Sequence, residues 1–164
     1  MHIISVNIRG LKNKEKRQIV YNWIKNQKAD ICFLQETYLD EEVQNLVKRE
    51  WGMDIISSFG TNHSKGVTIV YSKNLQLKIE NQSVADDGRR ILVNLVIQDT
   101  PCTLVNLYAP TNNKERDLFF RKTFFWMKRN VKHYVVIGGD FNCVQDKEKD
   151  TQNIKNPNEP CKYF

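Results

Sequence analysis

The spacing of apolar residues along the chain predicts three helices. In each segment, apolar residues recur every three or four positions, which is the period of one helix face. The segments are residues 14–27, residues 41–50 behind Asp40 as N-terminal cap, and a helix that opens at 111–113 and runs through 128. In the last of these, the predicted core residues are Leu118, Phe119, Phe125 and Trp126.

Short apolar and β-branched runs between turn residues predict strands. They cover residues 2–6, 31–34, 67–71, 75–80, 91–97, 102–107 and 134–137. The runs 31–34 and 134–137 are apolar throughout, so both strands are expected to be buried. Between 67 and 107, four strands follow one another without a helix. This order favours mixed sheets with helices outside, an α/β or α+β sandwich, over a regular doubly wound parallel sheet.

Composition narrows the class of protein. The chain has 164 residues, of which 40% are hydrophobic and 27% charged, which excludes collagen-like and wholly disordered chains. It contains no run of about 18 apolar residues, so no membrane span is expected, and its first residues predict no secretory signal. The net charge of +6 favours a polyanionic partner such as nucleic acid, although the basic residues are dispersed.

The cysteines and the C-terminal residues add two expectations. None of the four cysteines has CxxC spacing, and Cys32 and Cys102 lie in apolar runs. They are therefore interpreted as buried, reduced thiols of an intracellular protein, and no zinc site is expected. Residues 146–164 are polar and hold two of the four prolines, so we expect a domain over 1–145 followed by a polar loop or disordered tail.

Polar residues follow four of the predicted strands directly. They are Asn7, the pair Gln35 and Glu36, Tyr108, and the pair Asp140 and Asn142. Each alone has an ordinary structural explanation: a turn cap, a helix start, a half-buried aromatic residue or a turn acid. Because the ends of neighbouring strands lie side by side, together these residues predict one site. Its carboxylate and amide oxygens suit a hard cation, Mg²⁺ or Mn²⁺, rather than zinc.

Six short motifs resemble those of a known superfamily. In chain order they read SVNIRGL, LQET, HSKGV, DDGRR, VNLYAPT and GGDFN. Their order and spacing resemble the endonuclease/exonuclease/phosphatase superfamily, and the forms LQETYL, NHSKGV, NLYAPT and GGDFNCV most resemble the endonuclease domain of LINE-type (non-LTR) retrotransposons. The resemblance implies a four-layer α/β (α+β) sandwich of two mixed β-sheets packed face to face with helices outside, with the last strands missing from this chain.

The resemblance also implies roles for the residues after the strands. Glu36 of LQET matches the metal-binding glutamate, and Asn7 of SVNIRG matches the asparagine beside the metal and the attacking water. Tyr108 of NLYAP matches the tyrosine near the scissile phosphate. Asp140 and Asn142 of GDFN match the residues that activate or orient the water and support the phosphorane.

Other positions carry over less directly. Arg89 of DDGRR matches a Gly-Arg motif with a structural or phosphate-side role, and Thr111 stands where repair relatives have a phosphate-contacting asparagine. Arg9 replaces an acidic residue of the repair enzymes. The superfamily's final Ser-Asp-His-like motif has no match before Phe164, so the chain is interpreted as C-terminally truncated and, as a fragment, inactive.

The function implied by the resemblance is Mg²⁺- or Mn²⁺-dependent phosphodiester hydrolysis. The domain would nick DNA and leave a 3′-hydroxyl, in an intracellular and, by analogy with the family, nuclear setting. A downstream reverse transcriptase domain is compatible with such a parent element. Two alternatives stay open: a non-catalytic, domesticated remnant or pseudo-enzyme, and a repair nuclease or phosphatase of the same superfamily.

Overall fold

The computed structural model describes residues 1–61 and 63–143, which form three helices and eight strands. The helices are α1 (Lys14–Asn26), α2 (Glu41–Trp51) and α3 (Asn113–Asn130). The strands are β1 (Ile3–Asn7), β2 (Ile31–Gln35), β3 (Asp54–Ser58), β4 (Val67–Tyr71), β5 (Leu77–Val84), β6 (Arg90–Ile97), β7 (Thr100–Tyr108) and β8 (Tyr134–Asp140). The contacts divide the described residues into a first unit, Met1–Tyr108 with Asn130–Asp140, and a second unit that contains Ala109–Arg129 and residues 141–143.

The eight strands form two mixed sheets, both in the first unit. The first sheet has the order β1-β2-β4-β3, in which β1 and β2 are parallel and the other pairs antiparallel. The second has the order β5-β6-β7-β8, with only β7 and β8 parallel. The predicted class, two mixed sheets with helices, is confirmed.

A shared apolar core joins the two sheets face to face. Alternate side chains along β2, β4 and β6 point into it, as the two-residue period of strands requires. Its buried members include Phe33 and Ile69 of the first sheet and Ile91, Val93 and Leu104 of the second. The core fixes the distance between the sheets, and hence between the residues that follow their strands.

Helices α1 and α2 cover the other face of the first sheet. Ile24, Val47 and Trp51 of the helices pack with Cys32 and Leu34 of β2 in a second buried cluster. Strand β2 is therefore buried on both faces, as its apolar sequence predicted. The predicted cap of α2 is confirmed, because the Asp40 side chain accepts a hydrogen bond from the backbone nitrogen of Val43 at 2.9 Å.

The second unit corrects the predicted core face of α3. Of the predicted residues, only Phe119 is buried, while Leu118 and Phe125 are 53% and 63% exposed and Trp126 is half-buried. The buried stripe is Arg116, Phe119, Phe120 and Thr123. This stripe has helical spacing but includes two polar residues, and apolar residues also lie on the exposed faces. Hydrophobicity alone therefore pointed to the wrong face.

Strand β8 is the second correction, because the run predicted to be buried is exposed. Tyr134 is 89% exposed, and Val135, Val136 and Ile137 are between 37% and 41% exposed. Within the described part of the chain, β8 pairs only with β7, so it forms the edge of its sheet. An apolar sequence therefore predicts burial of a strand correctly only when other parts of the protein cover the strand on both sides.

Smaller differences concern strand bounds and cysteines. Strand β3 was not predicted, and the strand predicted at 75–80 lies at Leu77–Val84, where polar residues continue an edge strand with a bulge between Ile79 and Asn81. Cys32 is buried, but Cys102 is only half-buried. No helix in the described ranges is long and apolar enough to cross a membrane. The tail predicted from residue 146 lies outside the described residues.

Candidate active site

Two pairs of parallel strands bring the candidate residues to the same end of the first unit. Asn7 at the end of β1 pairs with Gln35 at the end of β2, and Tyr108 at the end of β7 pairs with Asp140 at the end of β8. Glu36 is the first residue after β2. The two sheets share one core, so these four strand ends can deliver polar groups to one place.

Asn7 connects the two carboxylates of the site. Its Nδ2 donates hydrogen bonds to Oε1 of Glu36 at 2.8 Å and to Oδ2 of Asp140 at 2.9 Å. The hydroxyl of Tyr108 donates to the same Oε1 of Glu36 at 2.9 Å. The structure thus brings together Asn7, Glu36, Tyr108 and Asp140, as the positions of these residues after apolar strands predicted.

A fifth residue, Tyr38, belongs to this cluster and was missed in the sequence. Its hydroxyl donates to Oε2 of Glu36 at 2.6 Å. Both Glu36 and Tyr38 have left-handed backbone conformations, with φ of 51° and 53°. These two reversals turn the Tyr38 ring back toward the carboxylate, and no glycine in LQETY signals them in advance.

The predicted HSKGV motif supports this turn. The backbone nitrogen of Thr37 donates to the carbonyl of Gly66 at 3.1 Å. Gly66 has φ of 88°, and a Cβ added there would lie 2.6 Å from Oγ1 of Thr37. A glycine at this position therefore allows the loop to approach the segment that carries Glu36.

The environment of Glu36 favours its charged form. Burial by itself raises the pKa of the carboxyl, but hydrogen bonds from Asn7, Tyr38 and Tyr108 lower it, as does the positive charge of Arg9. The net result is a pKa below the ordinary value. Glu36 is thus an anion at neutral pH, which is the state that binds a cation.

Arg89 holds Tyr108 in place. Its guanidinium lies 5.0 Å from the centre of the Tyr108 ring, and its Nη1 donates to the Tyr108 carbonyl at 3.0 Å. Burial and the hydrogen bond to Glu36 raise the pKa of Tyr108 to about 12, against an opposing effect of Arg89. Tyr108 therefore keeps its proton at neutral pH and acts as a donor. A contact of Arg89 with nucleic acid stays a prediction.

A buried amide pair supports the strand ends from below. Nε2 of Gln35 donates to Oδ1 of Asn106 at 2.8 Å. Nδ2 of Asn106 in turn donates to the carbonyls of Leu34 and Thr68, at 3.1 and 2.9 Å. The pair links the second sheet to the first beside the site. Gln35 was expected as a polar group at the end of its strand but without this partner, and Asn106, inside the motif VNLYAP, was not predicted.

Two glycines let β8 deliver Asp140. A Cβ at Gly138 would press on the ring of Phe33, and a Cβ at Gly139 would overlap the carbonyl of Leu107. Gly139 also has φ of 145°, which side-chain-bearing residues rarely adopt. The GGD sequence therefore permits a close approach that fixes where the Asp140 carboxylate lies.

Asn142 and Thr111 belong to the second unit. Nδ2 of Asn142 donates to the carbonyl of Ala109 at 2.8 Å, and its own carbonyl accepts from Nη1 of the buried Arg116 at 2.7 Å. The carbonyl of Thr111 accepts from the same Nη1 at 3.1 Å. Arg116 thus ties this unit together and was not predicted. The roles of Asn142 in supporting the phosphorane and of Thr111 in binding phosphate stay predictions.

The donor set fits a magnesium-type cation. The site offers two carboxylates and an amide, and no group of three or more His, Cys, Asp or Glu side chains suited to a metal occurs among residues 1–61 and 63–143. Mg²⁺ commonly uses one or two carboxylates and keeps several water ligands, whereas structural zinc requires four ligands. The residues present therefore fit Mg²⁺ or Mn²⁺, and the role of Glu36 as the metal ligand stays a prediction.

The fold of this chain is similar to the folds of several solved structures. An AP endonuclease from Archaeoglobus fulgidus superposes with a TM-score of 0.69 and 20% identity, over 89% of this chain and 59% of that one. D. rerio TDP2 complexed with a single strand DNA product superposes with a TM-score of 0.67 and 19% identity, over 89% and 62%. At these identities the likeness shows the fold, and the chain spans less than two thirds of both enzymes.

Residues 4–150 match the Endonuclease/Exonuclease/phosphatase family, and the chain belongs to that family. A further relative is the "Transposon TX1 uncharacterized 149 kDa protein" of Xenopus laevis, 28% identical over 149 residues. The match covers 89% of this chain but 11% of the transposon protein. These findings confirm the family resemblance and agree with its retrotransposon branch.

Proposed function

We propose that this chain is the catalytic region of a transposon-encoded endonuclease that hydrolyses a DNA phosphodiester bond. The observation that carries the proposal is the Asn7 amide that joins Glu36 and Asp140 at the ends of two facing sheets. Two carboxylates held side by side give a cation site and a proton acceptor. The transposon relative and the DNA complex of TDP2 support DNA as the substrate.

The side chains divide the chemistry between them. Asp140 orients a water and accepts its proton for in-line attack on phosphorus. Tyr108 and Asn7 donate hydrogen bonds and hold the carboxylate that binds the metal. When bound, Mg²⁺ or Mn²⁺ supplies positive charge at the phosphate and the leaving oxygen. The products are a 5′-phosphate and a 3′-hydroxyl, and in the parent element this hydroxyl would prime a downstream reverse transcriptase.

A plasmid-nicking assay with Mg²⁺ tests the proposal through matched carboxylate variants, made in a chain extended by the segment that follows the matched region in the transposon relative. Asp140→Asn and Glu36→Gln remove the acceptor and the metal ligand, and we expect each to slow nicking by about 10²- to 10⁴-fold. The exposed acids provide controls: Asp99→Asn for the first variant and Glu42→Gln for the second, both with unchanged rates. Equal nicking by all four variants would contradict the proposal.

The same assay tests the prediction of low activity in the 164-residue chain. We compare this chain with a version extended by the segment that follows the matched region in the transposon relative. The histidine and aspartate expected in that segment should raise the rate by about 10²- to 10³-fold, which is the effect of a single oxyanion donor. Rapid nicking by the shorter chain would show that these residues are dispensable.

Two other outcomes would favour the alternatives. If neither form nicks but both bind DNA, the chain is a non-catalytic remnant. If an abasic-site duplex or a phosphate monoester is cleaved much faster than intact plasmid, the site is a repair nuclease or phosphatase. A DNA-nicking role also requires access to chromosomes, so we propose a nuclear location, tested by imaging a fluorescent fusion.

A further inference from the structure

We infer that Tyr38 is a positioning residue that selects the Glu36 oxygen available to a divalent cation. The inference rests on the proposed function and assigns a role to a residue of the LQETYL motif that was not among the predicted site residues. Its basis is the hydrogen bond from the Tyr38 hydroxyl to Oε2 of Glu36, at 2.6 Å the shortest of the three that this carboxylate accepts from residues 1–61 and 63–143.

The hydrogen bonds leave one acceptor position on the carboxylate. An ionised carboxylate has about four lone-pair positions, two on each oxygen. Oε1 of Glu36 accepts from both Asn7 and Tyr108, so both of its positions are used. Among the residues that the structure describes, Oε2 accepts a hydrogen bond from Tyr38 alone. The remaining position is therefore on Oε2, and the Tyr38 hydroxyl determines where that position points.

The Tyr38 ring is fixed by the backbone around it. A Cβ added to Gly10 would lie 2.8 Å from Cδ2 of Tyr38, so the ring lies directly against this glycine. The backbone nitrogen of Gly10 donates to the carbonyl of Glu36, which brings the two segments together. The left-handed conformation of Tyr38 completes the turn. A ring held in this way costs little further entropy when its hydroxyl orients Glu36.

Removing only the hydroxyl separates positioning from packing. Tyr38→Phe keeps the ring against Gly10 but frees Oε2, so the carboxylate gains rotational freedom and a second open position. Hydrogen-bond partners of metal ligands typically contribute about 10- to 100-fold to metal affinity. We expect the Mn²⁺ dissociation constant of Tyr38→Phe to rise by about this factor, with an unchanged melting temperature in metal-free buffer.

Mn²⁺ binding to the 164-residue chain, followed by the electron paramagnetic resonance signal of the free ion, is the test. Tyr71→Phe is the matched control, because Tyr71 is also half-buried but pairs with Ile31 at the opposite end of β2. Gly10→Ala is a second variant that keeps the hydroxyl and displaces the ring, and it should weaken binding as well. Glu36→Gln should abolish binding.

The outcomes separate this role from the proposed function. Mn²⁺ affinity that is equal in wild type, Tyr38→Phe and Gly10→Ala, but lost in Glu36→Gln, would overturn the role of Tyr38 and leave the metal site intact. Equal affinity in wild type and Glu36→Gln would overturn the metal assignment itself, and the inference with it. A tenfold or greater loss in Tyr38→Phe, with Tyr71→Phe unchanged, supports the inference.

Discussion

Glu36 is a residue of the site whose ionisation the fold changes. The pKa of its carboxyl is lower in the folded chain than in the unfolded chain, because hydrogen bonds outweigh burial. A lowered pKa contributes stability that is present above the unfolded value and is lost as the pH falls through the folded value. The free energy of unfolding should therefore decrease at acid pH in part because protonation of Glu36 removes the advantage of its hydrogen bonds.

The corresponding variant should reduce this acid sensitivity. In Glu36→Gln we expect the free energy of unfolding to fall less steeply below the ordinary glutamate pKa than in wild type. Urea denaturation at a series of acid pH values measures the slope. Glu42→Gln, an exposed glutamate of α2, should leave the slope unchanged. An unaltered slope in Glu36→Gln would mean that its hydrogen bonds do not favour the charged form.

Arg89 gives a second prediction, about the orientation of Tyr108. Lysine keeps the charge of Arg89 but lacks the planar group that stacks on the ring and reaches the carbonyl. We expect Arg89→Lys to lower the free energy of unfolding by about 1 kcal/mol, the size of one hydrogen bond or cation–π contact. Chemical denaturation measures the change beside the exposed Arg49→Lys. An identical stability would show that the stacking contributes nothing.

Site residues could be predicted from the sequence where a polar side chain follows an apolar strand. They could not be predicted where the backbone reverses its direction. Glu36 and Asp140 were found because apolar runs end just before them. Tyr38 was missed because two non-glycine residues adopt left-handed conformations that no local pattern announces. Asn106 was missed because a buried amide in an apolar strand has no periodic signal and gains its partners only from the other sheet.

Among the elements, β8 depends most on its glycines. Gly139→Ala places a Cβ against the carbonyl of Leu107 and forces an unfavourable φ. We expect a loss of about 1–3 kcal/mol in the free energy of unfolding, as for strained backbone conformations. Gly52→Ala is the control, because Gly52 also has a positive φ but no atom within 4 Å of an added Cβ.

The two glycine variants together separate conformational from steric cost. Denaturant unfolding should show the larger loss for Gly139→Ala, and Mn²⁺ binding should weaken in that variant only, since β8 carries Asp140. Equal losses in the two variants would mean that the close approach to Leu107 has no consequence.

Helices and strands were predictable where one face alone is apolar. The period in α2 and the cap at Asp40 agree with the structure within one residue. In α3 the spacing of apolar residues predicted the buried face incorrectly, because the buried residues include Arg116. The guanidinium of Arg116 donates hydrogen bonds within the second unit. Strand β3 was missed because five residues with two serines and an aspartate do not form an apolar run.

At the scale of the whole molecule, the edge formed by β8 is a candidate surface for self-association. Tyr134–Asp140 contains no lysine, arginine or proline, which are the residues that protect sheet edges. Gly138 faces the Phe33 ring, so alternation places Val135 and Ile137 on the opposite face of the strand. Four consecutive exposed apolar residues on an edge favour pairing with another strand.

A charge on this strand should therefore reduce association. We expect sedimentation velocity to show concentration-dependent oligomers for the wild-type chain, and fewer for Val135→Lys. Ile19→Lys removes a single exposed apolar residue from α1 and should leave the distribution unchanged. A wild-type chain that stays monomeric at every concentration would contradict the assignment.

The class of fold was predictable from the sequence because strands outnumber helices in a fixed order, whereas the exposure of β8 was not. A run such as YVVI predicts that a strand packs against apolar residues, but it does not identify those residues. Within the described residues, one side of β8 is not covered by apolar residues, and the sequence of β8 alone does not predict this exposure.

Asn7 and Asp140 are 133 residues apart in the chain and share one hydrogen bond. During synthesis the first strand leaves the ribosome long before the eighth. Asn7 and Glu36 are therefore present before Asp140, while the six strands between β1 and β8 are being synthesised. The parallel docking of β8 beside β7 is a long-range event, and such contacts form late. The hydrogen bond between Asn7 and Asp140 would therefore form among the last contacts of the site. Nascent chains stalled before residue 140 would contain much of the sandwich without the complete candidate site.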